Sequence, residues 1–82
     1  MDDAEVKRIA GYIEDLENSF VDRDCRKPAT YRQLIKLHLT IERLGDTICQ
    51  TKDDQQKSML AVLADKARRC KRCMESRLTV HN

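Results

Sequence analysis

The sequence predicts an all-α fold, a small three-helix bundle running up, down and up, and three observations carry that expectation. Apolar residues recur at helical spacing in three separate stretches, each marking one face of a helix. Only two glycines and one proline punctuate 82 residues, far fewer turn formers than an all-β sandwich needs. Charged residues make up 37% of the chain, Trp is absent and Phe20 is the single phenylalanine, so a core has to be built from Leu, Ile, Val, Met and Ala. One domain spanning 1–82 is expected, because a chain of this length buries only ~60–65% of its unfolded surface.

The first helix is expected near 3–21. Val6, Ile9, Ile13, Leu16 and Phe20 follow spacings of three and four and lay one narrow stripe along it. Asp2 or Asp3 can cap its start, where a carboxylate also meets the positive pole of the helix dipole. Gly11 projects away from the stripe and lowers helix propensity by about 1 kcal/mol relative to Ala, too little to break a packed helix. From Val21 to Ala29 no apolar period survives, and Pro28 disfavours helix at Lys27.

The second helix is expected near 30–49. Thr30-Tyr31-Arg32-Gln33 has the pattern of a capping box, in which the threonine oxygen and the glutamine side chain each satisfy a free backbone N–H. Its inward stripe reads Tyr31, Leu34, Leu37, Ile41, Leu44 and Ile48, while Ile35 and Leu39 project about 100–140° away from Leu34. An arc this wide suits either a central helix touching two neighbours or a helix that meets another molecule. His38 falls inside the arc and is read as a core histidine with one nitrogen satisfied. Gly45 beside Leu44 is read as a close-packing position.

Gln50 to Ser58 is wholly polar, without Gly or Pro, and Thr51-x-x-Asp54 suggests a turn capping a third helix near 53–78. The alternative is a helical hairpin that dimerises through an unbroken second arm from Thr30 to Leu78, about 70 Å long. In the third stretch Leu60, Leu63, Ala67, Cys70, Met74 and Leu78 form the stripe, and Met59 and Val62 widen one edge. The tail 79–82 is expected to fray.

The formal net charge of +2 is too balanced to imply nucleic acid by itself, but its distribution is polar. Residues 1–19 hold six acids against Lys7 and Arg8, whereas 66–77 hold six bases against Glu75. The basic run supplies one candidate site. Arg68, Arg69 and Arg72 could track phosphates, although Asp65 shares their face and no aromatic is interleaved for stacking on bases.

Cys70-Lys71-Arg72-Cys73 draws attention as a Cys-x-x-Cys pair. Near a helix carboxyl terminus the dipole opposes thiolate, and no strand precedes it, so a thiol oxidoreductase is not expected. Zinc requires about four convergent ligands. In an up-down-up bundle only Cys25, Cys70, Cys73 and His81 share an end, and they are the candidate metal set, Cys49 lying at the other end. No nucleophile–base spacing, phosphate-cradling glycine loop or carboxylate pair in an apolar run is present.

The expected function is therefore that of a small non-enzymatic protein-binding regulator, inhibitor or adaptor. Ile35 and Leu39 are its contact residues, and its partner is another protein or a second copy in a homodimer. Nucleic-acid binding through Arg68, Arg69 and Arg72 is the alternative, and a zinc-stabilised helical module a third. No other cofactor, small-molecule substrate or membrane partner is expected. With an acidic start that lacks an apolar signal segment and no run of about 20 apolar residues, the expected setting is intracellular, in the cytoplasm.

Overall fold

Residues 2–21 and 28–78 are described by the computed structural model. They form α1 (Asp3–Leu16), continued by a π-helical turn (Glu17–Val21), then α2 (Tyr31–Gln50) and α3 (Asp54–Ser76). The arrangement is the expected up-down-up bundle. The start of α1 lies beside the start of α3, with Asp3 and Val6 sharing a groove with Asp53 and Met59. α2 runs antiparallel to both, its Arg43 paired with Glu5 of α1 and its His38 with Lys71 of α3.

Local chemistry explains each start. Asp2 caps α1 by accepting from the Glu5 N–H at 2.8 Å. Thr30 and Gln33 form both halves of the capping box at α2, at 3.2 and 3.0 Å. Thr51 does not cap α3, contrary to expectation. Its N–H and its hydroxyl both donate to the Thr47 carbonyl, so it closes α2, and Asp53 caps α3 by accepting from Gln55 N–H at 3.0 Å. A carboxylate is the stronger acceptor at a helix amino terminus, where it also meets the dipole. The three residues 51–53 are thus a turn, which overturns the hairpin alternative. The longest dimension of the molecule, 46 Å, is also well short of the ~70 Å that an unbroken helix over 30–78 would need.

The π-helical turn was not legible as such, since the stripe spacing fits an ordinary helix through Phe20. The wider winding keeps Phe20 buried and Val21 half-buried against α3. Just before α2, Ala29 donates its N–H to the Arg77 carbonyl at 3.3 Å and is itself buried, which ties the approach to α2 onto the end of α3.

The core is dry. Val6, Ile13, Leu16 and Phe20 meet Leu37 and Leu44 of α2 and Leu60, Ala64, Ala67, Cys70 and Met74 of α3. No polar or charged residue is buried among the described residues. Burial of each large member, such as Ile13, Leu37, Leu44 or Leu60, stabilises the fold by about 1.5–3 kcal/mol. The middle of α3 is small, with Ala64, Ala67 and Cys70 on its inner face, and small contact residues let helix axes approach closely. α2 and α3 accordingly share the most extensive interface of the bundle.

Four expectations fail here for packing reasons. Tyr31 leaves the stripe and is 76% exposed, because it is the first residue of α2 and the bundle ends beside it. His38 is exposed rather than core, its Nε2 3.1 Å from Glu42 and its Nδ1 3.3 Å from Lys71 Nζ. A Cβ added at Gly45 would meet nothing within 4 Å, so Gly45 is not a close-packing position. Met59 and Val62 do not widen the core, since both are about half exposed.

The same facts predict opposite responses to substitution. Gly11→Ala and Gly45→Ala should each stabilise the protein by roughly 0.5–1 kcal/mol, as helix propensity rises with no new clash. Leu37→Ala or Leu44→Ala should cost about 2–5 kcal/mol through the cavity left in a site with no exposure. Urea denaturation followed by circular dichroism measures both.

Candidate protein interface

Once Leu37 and Leu44 have turned inward, the geometry of α2 fixes what remains outside. Side chains four apart on a helix lie nearly one above the other. Tyr31, Ile35 and Leu39 therefore form one outward row, 76%, 56% and 58% exposed. The expected contact residues Ile35 and Leu39 stand together on the surface, and Tyr31 extends them by one turn. Sequence reasoning missed Tyr31 because its position also fits the inward stripe, although its spacing of four from Ile35 and eight from Leu39 was visible.

Between this row and α3 runs an open groove of about 390 Å³, floored by Leu34 and Leu78 and edged by His38, Lys71 and Glu75. His38 spans its upper end. Its Nδ1 lies 3.3 Å from Lys71 Nζ and its Nε2 3.1 Å from the Glu42 carboxylate, so the ring bridges the two helices' charges. The two helices are antiparallel, so the turns before Lys71 come level with the turns after His38. Arg68 accordingly stands near the height of Ile41, about 3 Å beyond Leu39, and Arg72, next to Lys71, near the height of Leu37, midway between Ile35 and Leu39.

The three candidate phosphate-binding arginines are all exposed. Arg68 and Arg72, one turn apart, share the side of α3 next to this groove, while Arg69 is rotated about 100° from Arg68. Arg68 Nη1 lies 3.3 Å from Asp65 Oδ1, an exposed pair three residues apart. By helical position Arg68 and Arg72 thus face the same side of the bundle as the apolar row, flanking a groove whose own lining from α3 is Lys71, Glu75 and Leu78, a juxtaposition that sequence spacing within either helix cannot reveal.

A second apolar groove of about 410 Å³ opens between α1 and α3, lined by Val6, Ala10, Met59, Val62 and Leu63 with Lys7 and Ser58. No expectation pointed to it. Met59 and Val62 belong to it because they sit on the flank of α3 turned toward α1, where the small Ala10 leaves space.

Of the candidate zinc ligands, Cys25 and His81 lie outside the described residues. Cys70 is fully buried in the core and Cys73, one turn later, is half-buried. Among the described residues no group of three or more His, Cys, Asp or Glu side chains is placed to hold a metal ion. Burial pushes the Cys70 thiol up to about 11, with the nearby Glu17 carboxylate and Cys73 adding to the shift. Burial followed by Cys70 raises Tyr12 likewise. The raised value holds the Cys70 thiol in its neutral form, packed as a small core hydrophobe.

A raised acid pKa ties stability to the protonated form. The folded state keeps the Cys70 proton that the unfolded chain loses near its ordinary value of 9.0, so stability is complete below pH 9 and falls as pH rises toward about 11. Denaturation midpoints should drop over that window, and Cys70→Ala should flatten the drop, leaving the contribution of Tyr12. No helix of the described residues is long and apolar enough to cross a membrane. No protein family, curated protein or solved structure matches this chain.

Proposed function

We propose that this protein is a small non-enzymatic binding module, a regulator, inhibitor or adaptor that acts by stoichiometric association with another protein through the outer face of α2. One observation carries the reading. Ile35 and Leu39 remain 56% and 58% exposed on a helix whose inner stripe already closes the core with Leu37 and Leu44 at no exposure. The fold leaves more than half of each of these two side chains uncovered. Covering each of them would contribute about 1 kcal/mol or more, half of what full burial of such a residue yields.

Single exposed apolar residues are ordinary on protein surfaces, but a row of three at successive turns beside an open groove is an arrangement for receiving side chains. The polar margin supports the same reading, since specific interfaces have an apolar centre and a charged rim. The arginines of α3 fit that rim better than a phosphate track, because Asp65 accompanies Arg68 and Glu75 edges the same groove.

The test is the double substitution Ile35→Lys with Leu39→Glu. Association with the partner, or with a second copy, should be abolished at unchanged helicity, measured by sedimentation and circular dichroism. Persisting association would sink this use of α2, and loss of helicity would mean that the two residues serve the fold.

A further inference from the structure

We infer that the occupant of the α2–α3 face is an amphipathic helix with an acidic flank, its apolar residues seated on Ile35 and Leu39 and its carboxylates meeting Arg68 and Arg72. This identifies the partner chemistry of the face proposed above and rests on that reading. The shape argument comes first. Tyr31, Ile35 and Leu39 make a ridge about 12 Å long, the length of roughly two helical turns. A helix packs such a ridge into the groove between its own rows of side chains, and the open groove beside α3 receives its anchors in return.

Charge selects the flank. Around the apolar row most charged groups are already engaged: Glu42 by His38 at 3.1 Å, Arg43 by Glu5, and Lys71 by His38 at 3.3 Å. The exposed acid on this side of α2, Asp46, lies seven residues and about 10 Å beyond Leu39, so what remains for a partner next to Leu39 itself is positive. Arg72 makes no ion pair among the described residues, and the Arg68–Asp65 pair is 57% and 79% exposed, so it exchanges readily for a partner carboxylate. Glu75 edges the groove toward Tyr31, so the acidic flank belongs over the Leu39 end. A second copy fits less well. A two-fold axis that laid Ile35 on Leu39 of the other chain would set Arg72, at the height of that axis, against its own counterpart.

Two synthetic amphipathic peptides test this, with identical Leu anchors at helical spacing and flanks of Glu in one and Lys in the other. Each is titrated into the full chain by fluorescence anisotropy and methyl NMR. The Glu-flanked peptide should bind, perturb Ile35 and Leu39, and weaken about tenfold or more between ~0.05 and ~0.5 M salt, as a charge-steered contact must. The Lys-flanked peptide should bind about tenfold more weakly, and Arg68→Glu with Arg72→Glu should reverse the order at unchanged helicity. Equal binding of the two peptides would overturn the acidic partner while leaving an apolar docking face. Perturbation confined to Met59 and Val62 would move docking to the other groove and overturn the inference. Binding of neither peptide also overturns it. So would a dimer of this chain that Ile35→Lys with Leu39→Glu dissolves, or a nucleic-acid duplex bound through the same arginines, and only the latter counts against protein binding as well.

Discussion

Close packing of α2 against the middle of α3 is the constraint on which the rest of the molecule depends. The inner face of α3 presents Ala64, Ala67 and Cys70 in sequence, and none is more than 2% exposed. Small side chains there let the larger Leu37 and Leu44 of α2 fill the space between the helices from one side. α1 then closes the remaining flank with Val6, Ile13, Leu16 and Phe20. In a chain this short, where the core supplies a thin margin of stability, that division of large and small residues decides which faces are left over.

What is left over is informative because it is uneven. α2 satisfies the core with the strip around Leu37 and Leu44, so Ile35 and Leu39 stay more than half exposed on the surface together with Tyr31. α3 spends its stripe on the core and turns its arginines outward, Arg68 and Arg72 to the same side of the bundle as the row from α2. Apolar centre and basic margin come from different helices and share that side only through the antiparallel register that His38 and Lys71 report. Cysteine chemistry recedes for the same reason. Cys70 is fully buried in the core, near Glu17, and burial raises its thiol pKa and so disfavours the thiolate.

His38 sits at the junction of these features. It bridges Lys71 of α3 to Glu42 of its own helix, and so ties down the charges beside the apolar row while leaving those of Arg68 and Arg72 exposed. A polar bridge at the lip of a groove, rather than inside a core, orders the rim without desolvating a charge, which is the inexpensive place for it.

The helices, their order and most of their ends follow from local spacing and capping alone. Apolar spacing of three and four marks Val6 through Phe20, Leu34 through Ile48 and Leu60 through Met74. Asp2 and Thr30 cap as local hydrogen bonding requires, since these interactions reach only three residues along the chain. The cap of α3 lies two residues later than the Thr51 pattern suggests: Thr51 donates to the Thr47 carbonyl and so ends α2, while Asp53 accepts from the Gln55 N–H. Only the tertiary structure decided which residues of a wide arc go inside. Tyr31, His38 and Gly45 each fit an inward position on the wheel of α2, yet none is buried, because burial depends on where a neighbouring helix passes and on how close its side chains allow it to come. The same dependence joins Ile35 and Leu39 to Arg68 and Arg72 across 29 or more residues of chain, a distance at which spacing along one helix carries no information.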